Sequence, residues 1–191
     1  MSIVIGLTGA KGSGKDQFFR AARRGLANMD IRQIAFADPI KHQIQQIFRL
    51  RDEREYDEFK RSSIQYDTGG GAGRLVEGRR IVREIGMLMR SYNSNQFVEY
   101  VEREIKLAPA AIWCITDVRF QNEVDLVTRS LNGILIKIRR TGHEYDGHVT
   151  ETEIPDSACS TVIYNDNVSL DEYNDRVVDV VRSILQTLSV N

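Results

Sequence analysis

The stretch Ile3–Phe19, IVIGLTGAKGSGKDQFF, constrains the fold more than any other part of the chain. Apolar, largely β-branched residues come first, then Gly9-Ala10-Lys11-Gly12-Ser13-Gly14-Lys15, then the start of a helical pattern at Asp16. Strand, glycine loop and helix in that order are the setting of a phosphate-binding loop. The glycines let the backbone curl so that successive amide N–H groups converge on one anion, at the positive end of the following helix dipole. Lys15 adds a full positive charge for the outer phosphates. The residue after it is Asp16, where a Ser or Thr hydroxyl would ordinarily meet magnesium. A plainer reading is a glycine-rich turn that only joins strand to helix, but a loop placed directly after an N-terminal buried-type strand argues for phosphate.

The pattern continues as alternating strands and helices. Phe18, Phe19, Ala22 and Leu26 recur at helical spacing over Lys15–Ala27, and a short strand is expected within Arg32–Ala37. Asp38-Pro39 reads as a capped helix start, with the helix running to about Arg49. Arg51–Gly78 is densely charged, glycine-rich at its end and with little apolar periodicity, which suggests a functional loop or lid, or else a mobile segment. A long helical region follows over Glu77–Leu107, interrupted near Ser91–Ser94. Ala111–Thr116 and Gly133–Ile138 are apolar runs of the kind covered on both faces of a sheet, and Ser160–Tyr164 is a last short strand before a helix capped by Ser169. Five strands alternating with helices predict an α/β fold: a five-stranded parallel sheet with helices on both faces. No internal repeat or linker divides the 191 residues into separate domains.

Composition narrows the function. A formal net charge of −1 gives no general attraction to nucleic acid or to an anionic membrane, so any basic site is local. No apolar stretch approaches the ~20 residues of a bilayer span, and the N-terminus lacks the layout of a signal peptide. The expectation is a cytoplasmic protein, with Cys114 and Cys159 reduced and no zinc site among its three histidines.

Candidate chemistry gathers where open parallel sheets place ligands, at the carboxyl ends of strands. Gly9, Ala10, Lys11, Gly12, Ser13, Gly14, Lys15 and Asp16 form the expected nucleotide-binding loop. Asp117 ends the strand Ala111–Thr116, where it suits a hydrated magnesium shared with Asp16, and Arg119 two residues on would reach the same crevice or pair with Glu123. Arg139 and Arg140 follow the strand Gly133–Ile138 and fit a mobile lid, or an exposed pair making surface bridges. On the acceptor side stand Asp38, Lys41, Arg79, Arg83 and Arg90, the arginines at spacings of four and seven that share one helical face. That face suits bidentate contacts to a phosphate monoester, or solvent. Tyr92, Tyr100 and Trp113 read as core or cleft walls.

Several blocks resemble the phage deoxynucleoside monophosphate kinases, within the wider nucleoside monophosphate kinase group of P-loop proteins. They are Gly9 through Asp16, Phe36-Ala37-Asp38-Pro39-Ile40-Lys41, Thr116-Asp117-Val118-Arg119-Phe120-Gln121-Asn122-Glu123, and His148-Val149-Thr150-Glu151 through Val162-Ile163-Tyr164-Asn165-Asp166. The Gly-Lys-Asp ending of the loop is itself a feature of that family. The resemblance implies a single three-layer P-loop kinase domain over residues 1–191, with an acceptor-binding helical region over about 38–108 and a lid over about 139–155. It implies transfer of the γ-phosphate of ATP, with Mg2+, to a small-molecule acceptor, a deoxynucleoside monophosphate, in the cytoplasm of the host if the chain is phage-encoded. Lys15 and Arg119 would stabilise the transferring charge, Asp38 would lie near the acceptor, and Asn165 near the donor adenine. The same loop and Asp-x-Arg pattern also occur in kinases of phosphomevalonate or dephospho-coenzyme A, and a non-catalytic nucleotide-binding module is a further alternative. Base selectivity and assembly, including a homodimer, stay open.

Overall fold

The computed structural model describes residues 2–66, 73–108, 112–143 and 153–189. In chain order the elements are β1 (Ile3–Thr8), α1 (Lys15–Gly25), β2 (Ile31–Ile34), α2 (Asp38–Ile47), α3 (Glu53–Arg61), β3 (Ser63–Tyr66), β4 (Arg74–Glu77) and α4 (Gly78–Tyr92). Then come α5 (Gln96–Leu107), β5 (Ile112–Ile115), α6 (Gln121–Asp125) running into a π-helical turn (Leu126–Ser130), β6 (Ile134–Arg139), β7 (Thr161–Tyr164) and α7 (Leu170–Ser189). They divide into two compact units, one of Met1–Ala35 with Val101–Asn191 and one of Phe36–Tyr100.

The first unit is built on the expected sheet. Its five strands run in the order β2-β5-β1-β6-β7, and every pairing is parallel. β1 is central, so it is buried on both faces, and its period of two sorts its side chains between them. Ile5 and Leu7 join Phe18, Phe19 and Ala22 of α1 and Tyr173, Val177 and Val181 of α7 in one core. Gly6 points the other way, where a Cβ would fall 3.0 Å from Val127 of the π-helical turn, so that side of the strand needs glycine for the helix to approach. The loop after β1 thus emerges at the middle of the sheet, flanked by the ends of β5 and β6.

β6 carries a charge that periodicity alone does not announce. Lys137 is 1% exposed and donates to Glu153 Oε1 at 2.6 Å, Asp156 Oδ1 at 2.8 Å and the carbonyl of Ile154 at 2.7 Å. Arg139 at the strand's end contacts the same carboxylates, at 3.1 and 2.8 Å. Hydrogen bonds from Lys137 and then Arg139 hold the Asp156 carboxyl below the usual carboxylate range. A depressed folded-state pKa means stability that is present above the unfolded value of ~3.9 and lost as pH falls through the lower folded value. Asp156→Asn is therefore expected to flatten the decline of Tm with pH below about 4, as measured by circular dichroism, and to leave Tm at pH 7 lower than that of the parent protein.

The second unit differs from expectation between Arg51 and Gly78. Where a functional loop or lid is expected, α3 and an antiparallel β3–β4 hairpin are found. The charges that hide the helix also support it: Arg51 and Arg54 pair with Glu55 and Glu58 one turn on, and Asp52 caps it by accepting from Glu55 N at 2.9 Å. Only Tyr56 and Phe59 are buried on it, too few for a readable apolar stripe. The glycine-rich run 67–72 lies outside the described residues. Asp38 is the first residue of α2 and not its cap, a position taken by Ala37. The long helical region splits into α4 and α5 at Asn93–Asn95, where Asn95 N donates to Asn93 Oδ1 at 2.9 Å. Tyr92 is 85% exposed, against the expectation of a core or cleft wall, whereas Trp113 in the first unit is buried. No helix among the described residues is long and apolar enough to cross a membrane.

Candidate active site

The glycine loop has the conformation its sequence predicts. Gly9, Gly12 and Gly14 have φ values of 143°, 78° and 118°, all in the region L side chains avoid. Gly14 serves as the N-cap of α1 without any side-chain cap, so the first amides of that helix are left for an external acceptor. Ser13 is fully buried within the loop, and its Oγ has no hydrogen-bond partner. Lys15 folds back over the turn, its Nζ donating to the carbonyls of Gly9 and Ala10 at 2.7 Å each. Hydrogen bonds to neutral carbonyls are weaker than those an ammonium makes to a phosphate. A Cβ on Gly9 would fall 2.3 Å from Ile138 O, so Gly9→Ala is expected to lose about 1–3 kcal/mol by urea unfolding.

Three side chains distant in sequence reach the loop's backbone. Asn165 Nδ2, just after β7, donates to Ser13 O at 2.9 Å, and Tyr173 OH on α7 donates to Gly14 O at 3.1 Å. His143, in its Nδ1–H tautomer, donates to Lys11 O at 3.1 Å. Asn165 is thus seen against the loop's backbone. Tyr173 reads in the sequence only as an apolar position of the last helix; its hydroxyl has no signal in the periodicity.

The segment after β5 is held beside β1. Val118 N donates to Leu7 O at 3.0 Å, which places Asp117 and Arg119 at the carboxyl ends of adjacent strands, next to the loop. The buried Glu123 accepts from the backbone N–H groups of Arg119 and Phe120 at 2.7 and 3.1 Å. Glu123 therefore acts on the Arg119 backbone, shaping the turn that presents Asp117 and Arg119. Asp16 is exposed on the first turn of α1. Arg139 is engaged with Glu153 and Asp156, and Arg140 is exposed. Residues 144–152, including His148 and most of the expected lid, lie outside the described residues.

In the second unit α4 is continuous, so Arg79, Arg83 and Arg90 do share one face of it, and all three are half-buried. Arg80, off that face, is exposed and pairs with Glu84 at 2.6 Å. Arg90 lies over the Phe97 ring at 4.5 Å. α2 packs on α4 where Gly86 leaves room for Ile40. Lys41 pairs with Glu53 at 2.7 Å and lies 6.0 Å above the ring of Tyr56, which burial and the nearby Asp57 and Asp38 push up to about 12.

No protein-family model matches the chain. A protein of Acanthamoeba polyphaga mimivirus named "putative deoxynucleotide monophosphate kinase" is 29% identical over 198 residues, covering 96% of this chain and 98% of that protein. Among solved structures, an APS kinase of Mycobacterium tuberculosis in complex with AMPPNP and APS is 11% identical with a TM-score of 0.48, over 95% of this chain and 98% of that one. A Chloroflexus aurantiacus protein named "putative kinase" is 12% identical with a TM-score of 0.45, over 97% of each chain. Both structures are too distant to bear on the substrate.

Proposed function

We propose that the chain is an ATP-dependent kinase that phosphorylates deoxynucleoside monophosphates to diphosphates. The observation that carries this reading is the loop itself: three left-handed glycines, an uncapped helix N-terminus, an unpartnered buried Ser13 hydroxyl and a lysine resting on neutral carbonyls. The near full-length similarity to the mimivirus protein supports the choice of acceptor.

Phosphoryl transfer asks little covalent chemistry of a protein; it asks for charge around the transferring group and an acceptor oxygen held in line. Loop amides from Gly9 to Asp16 bind the donor phosphates. Lys15 turns from Gly9 O and Ala10 O toward the outer phosphates, where its charge makes stronger, charge-assisted hydrogen bonds. Arg119, on the turn shaped by Glu123, supplies further positive charge, and Arg140 does so from the end of β6. In the second unit, Arg79, Arg83 and Arg90, with Asp38 and Lys41, bind the acceptor nucleotide, the arginines by bidentate contacts to its phosphate.

The donor set fits Mg2+. Asp16, in the first turn of α1, and Asp117, after β5, would offer it hard carboxylate oxygens. Magnesium characteristically takes one or two carboxylates and keeps several waters. When bound, it would neutralise charge on the donor phosphates. Asp16→Asn is expected to raise the Mg2+ concentration for half-maximal activity about tenfold, equivalent to ~1.4 kcal/mol. An unchanged magnesium titration would reduce Asp16 to a favourable charge in the first turn of α1.

The acceptor is tested by incubating the protein with ATP, Mg2+ and each deoxynucleoside monophosphate in turn, with 5-phosphomevalonate and dephospho-coenzyme A as further arms. Diphosphate formed from at least one deoxynucleotide, and no phosphorylated product from the other two acceptors, is the expected result. Turnover of only one of those two would replace the acceptor; ATP binding without turnover of any would make the chain a binding module.

A further inference from the structure

Within a phosphate loop the peptide planes must turn their N–H groups toward the ligand, which turns their carbonyls away from it and leaves those oxygens needing donors from behind. The loop's last two carbonyls have such donors, and neither comes from the loop or from α1 alone. Ser13 O accepts from Asn165 Nδ2 at 2.9 Å. Gly14 O accepts the first helical bond of α1, from Phe18 N at 2.9 Å, and on its second lone pair the Tyr173 hydroxyl at 3.1 Å.

Each carbonyl shares a rigid plane with the next residue's N–H. Fixing Ser13 O fixes the direction of the Gly14 N–H, and fixing Gly14 O fixes that of the Lys15 N–H. These two amides lie where the loop passes into α1, and no intrahelical carbonyl claims them. The two donors also occupy the space above Gly14: a Cβ there would fall 2.7 Å from Asn165 Nδ2 and 3.2 Å from the Tyr173 hydroxyl.

Both donors are themselves held. The Asn165 backbone N–H donates to Arg139 O at 2.8 Å, fastening it to the end of β6. Tyr173 is fully buried, and beside it Gln17 Nε2 of α1 donates to Asn174 Oδ1 of α7 at 2.7 Å. Burial raises the Tyr173 hydroxyl well above its ordinary value, so it remains a donor throughout the working pH range.

We infer that Asn165 and Tyr173 are positioning residues for the donor phosphates, acting through the Ser13 and Gly14 carbonyls to aim the Gly14 and Lys15 amides, and that Asn165 does not select the donor base. The inference rests on the reading of the loop as the donor-phosphate site. It differs from a contact between Asn165 and adenine in what it makes sensitive: the polyphosphate and not the base.

The test uses Tyr173→Phe, which removes one oxygen from a ring otherwise kept in the core, and Asn165→Ala. Calorimetric titration with inorganic tripolyphosphate, which has no base, reads the loop directly. ATP and GTP, titrated in parallel, read base discrimination, and thermal melts report folding. About a tenfold loss of tripolyphosphate affinity is expected for each variant, the scale of one hydrogen bond to a rigid site. The ratio of ATP to GTP affinity should stay unchanged.

Tripolyphosphate binding equal to the parent's in both variants overturns the inference alone. So does an Asn165→Ala protein whose ATP-to-GTP ratio shifts while tripolyphosphate binding holds, since that is the behaviour of a base contact. A Tyr173→Phe protein that melts as the parent does yet loses tripolyphosphate affinity excludes a merely structural role. A parent protein that binds no tripolyphosphate overturns the donor-site reading itself, and the inference with it.

Discussion

Replacing Lys15 by Met is expected to lower kcat about 10²–10³-fold while leaving the fold unchanged. The lysine is half-buried beside the loop, where its ammonium donates to Gly9 O and Ala10 O. Methionine keeps the length and apolar stem of the side chain, so packing against the loop survives. What is lost is a unit charge beside the outer phosphates, and it matters most when negative charge redistributes during transfer. Steady-state kinetics should therefore show a larger fall in kcat than rise in KM for ATP. A Lys15→Met enzyme with full turnover would remove the lysine from the mechanism.

The second large effect is expected at Glu123, which acts on the backbone of the turn that carries Arg119. Its carboxylate is 1% exposed and accepts from the amides of Arg119 and Phe120. Glu123→Ala leaves those donors without their anionic acceptor and opens a void beneath the turn. A loss of about 2–3 kcal/mol is expected, since hydrogen bonds to a charged group exceed neutral ones. In a chain of this size that lowers Tm by roughly 5–10 °C. Activity at a temperature where the variant is still folded should also fall, because the turn that carries Asp117 and Arg119 relaxes. Glu123→Gln retains one acceptor oxygen and should recover much of the stability. Equal melting of Glu123→Ala and the parent protein would show that the turn stands without this carboxylate.

The parts of this molecule that are legible in its sequence are those whose signal is local and periodic. The loop announces itself because three glycines and a lysine at fixed spacing have few other uses between a strand and a helix. β1, β5 and β6 announce themselves because a strand covered on both faces reads as a nearly continuous apolar run. The positions of Asp117 and Arg119 follow from the end of β5. By contrast α3 is stabilised by ion pairs one turn apart and buries only Tyr56 and Phe59, so its sequence resembles a solvated loop. Asp38-Pro39 marks the start of α2 correctly to within a residue, but the proline at the helix start signals more strongly than the side chain that would cap it.

The residues missed at the candidate site share one property: their role is set by tertiary contacts. Tyr173 falls on the buried stripe of α7, and periodicity explains its ring completely while leaving its hydroxyl unassigned. Glu123 stands three residues after Phe120, a capping-box spacing, but no Ser or Thr precedes it to complete the signature. Lys137 is a lone charge between apolar neighbours in β6. Only the fold shows that Glu153 and Asp156 return to meet it.

The central claim is that this loop and its surrounding charges transfer a phosphoryl group to a nucleotide acceptor rather than to water. Incubation with γ-labelled ATP, Mg2+ and a deoxynucleoside monophosphate, followed by separation of products, tests it most directly. Label in the β-position of the deoxynucleoside diphosphate, formed in step with unlabelled ADP, is the predicted result. Label found only in inorganic phosphate, or retained in ATP with every deoxynucleotide offered, would contradict it.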